Sequence, residues 1–61
     1  MTIEKLMREY YEKLKNVESL LAQNKEALAK DRNDVSLRIE KERYNTMEQC
    51  YLQIINDLED L

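Results

Sequence analysis

The 61-residue sequence contains no glycine, no proline, no histidine, and only one cysteine, Cys50. A single cysteine cannot form an internal disulfide, and the lack of histidine removes the usual ligand of small zinc sites. No uninterrupted apolar run exceeds three residues, the length of Leu20 to Ala22, which excludes a transmembrane helix. Domains below roughly 70 residues usually need a disulfide, a metal or a partner chain. With the first two absent, self-association is the default expectation.

Catalytic chemistry also has little support in this composition. Cys50 has no histidine to activate it as a thiolate, and the 13 carboxylates are scattered without a recognisable acid and base pair. We therefore expect a non-enzymatic protein without cofactor or metal. Cys50 itself is predicted to be a small apolar residue at the edge of a helix seam, with a redox or intersubunit disulfide role as the alternative.

The residues that are present describe one small domain spanning residues 1 to 61. Hydrophobic residues make up 43% and charged residues 38%, with a net charge of −3, which is too apolar for a disordered chain and too charged for a membrane protein. The N-terminal segment carries Glu4, Glu9 and Glu12 and does not have the pattern of a secretion signal. We expect a cytoplasmic protein of a bacterial or phage-infected cell, an origin suggested only by size and composition.

Apolar residues recur with helical spacing in both halves of the chain. Steps of four and three residues connect Ile3 to Leu28, and the same spacing returns from Leu37 to Leu61 with Glu40 as an interruption. Neither half alternates with period two, so the sequence predicts helices at about 3–30 and 35–60. The predicted core positions of the folded oligomer are Ile3, Met7, Tyr10, Leu14, Val17, Leu21, Leu28, Leu37, Tyr44, Met47, Tyr51, Ile54 and Leu58.

The segment between the two stripes is predicted to be a turn despite its lack of glycine. Extending the first stripe in steps of seven meets only polar positions after Val35, because the second stripe lies two residues further along. Asp31, Asn33 and Asp34 have short side chains that compete with helix backbone hydrogen bonds. We predict an all-α antiparallel hairpin with a four-residue connection, in which Thr2 caps the first helix and Asp34 or Asn33 caps the second.

The apolar stripes are wider than one partner helix can cover. Leu6 and Leu20 lie beside the first seam, and further apolar residues lie beside the second. A two-fold homodimer that forms a four-helix bundle is the commonest way to cover such a surplus, although the surplus could equally be a docking face for a different protein. The candidate partner-binding residues, near the acidic C-terminal end, are Tyr11, Leu52, Ile55 and Glu59.

Asn24 is the polar member of the first stripe, and Lys41 is predicted to lie opposite it. A lone buried asparagine in such a position can set register or oligomeric state. Between exposure near the turn and a polar recognition patch, we favour exposure.

Nucleic-acid binding is the first alternative function. Six of the ten basic residues lie between residues 25 and 43, but five acidic residues share that segment and leave a net charge of about +1. Phosphate binding depends on uncompensated positive charge, so we do not favour a nucleic-acid partner. In size and two-helix layout the chain resembles the small RNA-binding Rop bundle proteins, without a shared residue motif. The contacts in a Rop-like binder would be Lys30, Arg32, Arg38, Lys41 and Arg43.

The favoured function is protein binding by a small helical-hairpin homodimer, such as a bacterial or phage regulator, adaptor or inhibitor that occupies a surface on another protein. No membrane is expected among its partners. A structural coiled-coil fragment of a larger assembly is the second alternative.

Overall fold

A computed structural model describes residues 2–61, which form two α-helices and no strand. The first helix, α1, spans Ile3–Lys30, and the second, α2, spans Val35–Glu59. They pack side by side and antiparallel, because Tyr11 contacts Glu59 near the chain ends while Asn24 contacts Leu37 near the turn. The resulting hairpin measures 44 × 14 × 14 Å. The predicted helix boundaries are confirmed to within one residue.

Both helices begin at the caps that the sequence predicts. The Thr2 hydroxyl accepts a hydrogen bond from the Lys5 backbone N–H at 3.2 Å. The Asp34 carboxylate accepts one from the Leu37 backbone N–H, also at 3.2 Å. Each cap satisfies a donor that has no partner within its own helix.

The connection between the helices is closed by polar side chains. Asp31 accepts a hydrogen bond from the Asn33 N–H on its carboxylate, and one from the Asp34 N–H on its carbonyl oxygen. Arg38 reaches back from α2 and donates to the Arg32 carbonyl oxygen at 3.1 Å. No residue in the described range has a positive φ angle. The turn therefore does not need the left-handed conformation that glycine supplies, which explains how a hairpin forms without glycine.

The buried apolar core is small and lies nearer the chain ends than the turn. It consists of Leu14, Val17 and Ile55. The half-buried side chains packed against it are Met7, Tyr10, Tyr44 and Tyr51. The rings of Tyr10 and Tyr51 have centroids 6.1 Å apart and are tilted by 53°, and the Lys13 ammonium lies 5.0 Å from the Tyr10 centroid. These aromatic contacts extend the core toward the open end of the hairpin.

The predicted role of Ile55 in binding a partner protein is wrong. Its side chain is only 4% exposed and belongs to the hairpin core. Successive residues of a helix are rotated by about 100°, so Ile55 points within about 20° of Tyr44, which packs against the core. Met47 and Ile54 point about 60–80° away from the direction of Tyr44. Met47 is accordingly exposed and Ile54 half-buried. Ile55 is therefore not available to another protein.

Ile3, another predicted core position, is also exposed, in the first turn of α1. Apart from the buried Leu14 and Val17, the remaining predicted core positions are half-buried and include Leu21, Leu28, Leu37 and Leu58. Within residues 2–61, neither helix is apolar enough over its length to cross a bilayer.

Candidate protein-interaction surfaces

The hairpin leaves much of its apolar surface uncovered. Among residues 2–61, eight large apolar side chains are exposed, against three that are buried in the core. The exposed ones are Ile3, Tyr11, Leu20, Val35, Ile39, Met47, Leu52 and Leu61. Several of them gather on the two flanks of the hairpin, where one edge of α1 meets one edge of α2.

The first flank carries an extended apolar surface, which we call the Leu20–Met47 face and define as Leu20, Ala27, Ile39, Met47 and Ile54. Leu20 and Ala27 border one shallow groove between the helices, and Ile39 and Met47 line a second on the same side of α2. Ile54 follows Met47 by two helical turns and so continues the stripe toward the open end.

The second flank carries a smaller surface, the Tyr11–Leu52 patch, defined as Tyr11, Leu52 and Glu59. The Tyr11 hydroxyl donates a hydrogen bond to the Glu59 carboxylate at 2.9 Å, which joins the two helices across the open end. Leu52 precedes Glu59 by two turns and lies on the same side of α2. Three of the four predicted partner-binding residues thus lie on one flank, and Ile55 does not.

The contact with Glu59 changes the acidity of Tyr11. The pKa of Tyr11 is raised above 10.0, chiefly because its hydroxyl donates to the Glu59 carboxylate. Partial desolvation and the negative charge of Glu59 act in the same direction, since both disfavour a phenolate. At neutral pH the hydroxyl therefore remains a hydrogen-bond donor.

Asn24 is buried rather than exposed, contrary to the favoured expectation. It is 4% exposed, and its amide nitrogen donates to the Leu37 backbone oxygen at 2.9 Å. That oxygen points along α2 toward Lys41, the residue expected opposite Asn24, because a helical carbonyl accepts from the N–H four residues later. The amide oxygen of Asn24 is buried and has no hydrogen-bond partner. The burial follows from its position in the apolar stripe, a signal already present in the sequence.

The basic residues near the turn do not form one surface. Arg32, Arg38 and Lys41 line a groove on the flank of the Tyr11–Leu52 patch, whereas Arg43 lines a groove on the opposite flank. Glu42 borders both grooves and separates the two sets. Lys30 lies in the last turn of α1, where a positive charge suits the helix dipole. Three of the five candidate nucleic-acid contacts therefore share one groove with Glu42, and Arg43 lies apart from them.

The remaining chemical groups do not cluster. Residues 2–61 bring no three side chains of the metal-ligating types together. Cys50, expected at the edge of the seam, is a free thiol exposed to solvent.

The chain has no significant match among protein-family models, curated proteins or solved structures.

Proposed function

We propose that this chain is a small non-enzymatic protein-interaction module that acts as a homodimer and binds another protein through the Tyr11–Leu52 patch. Its role would be that of a bacterial or phage regulator, adaptor or inhibitor in the cytoplasm. The observation that carries the proposal is the excess of exposed over buried large apolar side chains. Apolar surface of this extent in a small domain is typical of interaction sites.

The charge around the patch suggests the chemistry of the bound protein. Outside residues 24–43 the chain contains four basic and eight acidic residues, so the open half of the hairpin has a net charge of −4. Tyr11 supplies an aromatic ring and Leu52 an aliphatic side chain, with the Glu59 carboxylate at their edge. A complementary surface would be an apolar pocket bordered by lysine or arginine side chains.

Leu52→Glu tests this proposal, because it places a charge at the centre of the patch. We expect affinity capture from a lysate of the native host to lose its specific protein with this variant. The variant should nevertheless remain as helical and as dimeric as the parent chain, since Leu52 is not part of the hairpin core.

Ser19→Glu is the matched control, because it adds the same charge at an exposed position on the solvent side of α1. It should capture the same protein as the unmodified chain. The captured protein should also be released by salt if basic side chains border its pocket. Equal capture by Leu52→Glu and Ser19→Glu would contradict the assignment of the patch.

A further inference from the structure

The Leu20–Met47 face differs from the opposite flank in carrying apolar side chains in two grooves, among polar ones such as Gln23, Glu40 and Arg43. It runs from Ile39, near the turn, to Ile54, toward the open end, with Leu20 and Ala27 beside it on α1. On the opposite flank, Tyr11 and Leu52 are exposed at the open end. Nearer the turn its groove is lined by Leu28 and by five polar or charged residues, which are Arg32, Arg38, Lys41, Glu42 and Asn45.

The size of one side of the hairpin is enough for a small interface between identical chains. The whole side measures 44 × 14 Å, a plane area of about 600 Å². When Arg43 lies level with Asp57 of a second copy, the copies are offset by about 9 Å, so each buries about 500 Å² and the pair about 1,000 Å², the least area expected of a biological interface. A chain with three buried apolar side chains and neither disulfide nor glycine-stabilised turn gains most from such burial.

The distribution of charge selects the relative direction of the two copies. Residues 24–43, the turn half, contain six bases and five acids, whereas the open half carries the net charge of −4. Copies with their turns at the same end would place two acidic halves together. Copies with their turns at opposite ends place each acidic half against a turn half that is slightly positive, which is the favourable arrangement.

Two charged residues beside the face show the same complementarity. Arg43 and Asp57 lie on the outer side of α2, about four turns apart. When α2 packs antiparallel on α2 of a second copy with Arg43 level with Asp57, Met47 of each copy lies within one residue, about 1.5 Å, of the level of Ile54 of the other. A single register of the two α2 helices therefore places apolar side chains at the centre of the interface and oppositely charged side chains at its edges.

We infer that the Leu20–Met47 face is covered by a second copy of this chain, packed with its turn beside the open end of the first. This inference deepens the homodimer of the proposed function by naming its interface and direction. It is independent of the Tyr11–Leu52 patch, which stays exposed on the outer side of the dimer.

Leu20→Glu and Leu52→Glu form a matched pair for testing the interface. Both leucines are equally exposed, at 39% and 38%, and they lie on opposite flanks. Sedimentation equilibrium should show that Leu20→Glu raises the dimer dissociation constant at least about tenfold, while Leu52→Glu changes it less than about threefold. Met47→Glu should reproduce the effect of Leu20→Glu, and circular dichroism at high protein concentration shows whether each variant is helical.

A monomeric parent chain, or equal weakening by Leu20→Glu and Leu52→Glu, would overturn the inference. Neither result would change capture of another protein through the patch, so failure of the interface and failure of the patch are distinguishable. Conversely, a variant that loses capture but stays dimeric would leave the proposed dimer interface intact.

The direction of packing is tested by a spin label near the turn. Ser36→Cys in a Cys50→Ala background gives one label per chain at an exposed position of α2. Double electron–electron resonance should report a distance close to the 44 Å length of the hairpin. A distance within roughly 20 Å, two helix diameters, would mean that the turns lie at the same end and would overturn the proposed direction.

Discussion

The open half and the turn half of the hairpin are held together by different forces. All three buried apolar residues of the described chain, Leu14, Val17 and Ile55, lie in the open half. In the turn half the buried side chain is that of Asn24. That half is organised by hydrogen bonds, from Asn24 to the Leu37 carbonyl and from the Leu37 N–H to the Asp34 cap. Burial of apolar side chains stabilises the open half, whereas the turn half retains the buried Asn24 amide oxygen without a hydrogen-bond partner.

The largest expected effect is the loss of packing in the open half. Ile55→Ala removes one of three core side chains and should lower the free energy of unfolding by about 3 kcal/mol, because the cavity collapses only partly. Urea denaturation followed by circular dichroism measures the change. Leu52→Ala, three residues away but exposed, should cost less than about 1 kcal/mol. Similar losses for the two variants would mean that the open half has no distinct core.

A smaller effect of opposite sign is expected in the turn half. Asn24→Leu replaces the buried amide with an apolar side chain of similar size and should raise the free energy of unfolding by about 1 kcal/mol. The Leu37 carbonyl keeps its helical hydrogen bond, so no new unsatisfied group is created. Asn45→Leu is the control, because it makes the same substitution at an exposed position of α2. It measures the gain in helix propensity that both variants share. Destabilisation relative to this control would show that the buried amide supports the fold.

The smallest expected effect concerns the contact that joins the two helices at the open end. Glu59→Ala removes the acceptor of the Tyr11 hydroxyl and should lower the pKa of Tyr11 toward 10.0. Tyrosinate absorbance during an alkaline titration follows the four tyrosines, and Tyr11→Phe identifies the one that shifts. A titration of Tyr11 unchanged by Glu59→Ala would contradict the contact.

The sign of the accompanying pH dependence follows from the raised pKa. The folded state favours the neutral phenol, so this stabilisation is complete below the ordinary pKa of tyrosine and is lost as the pH rises through the raised value. The Tyr11 contact therefore contributes no change in stability between acidic and neutral pH through the ionisation of tyrosine.

Local features of the fold were predictable because they depend on neighbouring residues. The caps at Thr2 and Asp34 and the helix boundaries follow from side-chain type and spacing within one or two turns. The turn was predictable from the phase change between the apolar stripes and from the Asp31 to Asp34 cluster. Three of the four predicted partner-binding residues lie in the patch, but Ile55 was not predicted to be buried. Ile54 and Ile55 have identical side chains and differ only in the direction in which they leave the helix.

The sequence by itself determined two capped amphipathic helices, an acidic open half and a turn that needs no glycine. The tertiary structure decided which side chains face the partner helix: it buried Ile55 and Asn24, paired Tyr11 with Glu59 and placed Arg43 on a different flank from Arg38. The physical reason is that spacing along a helix defines a stripe only to within a few tens of degrees. The rotation that selects one edge of the stripe for burial is set by how both helices pack together.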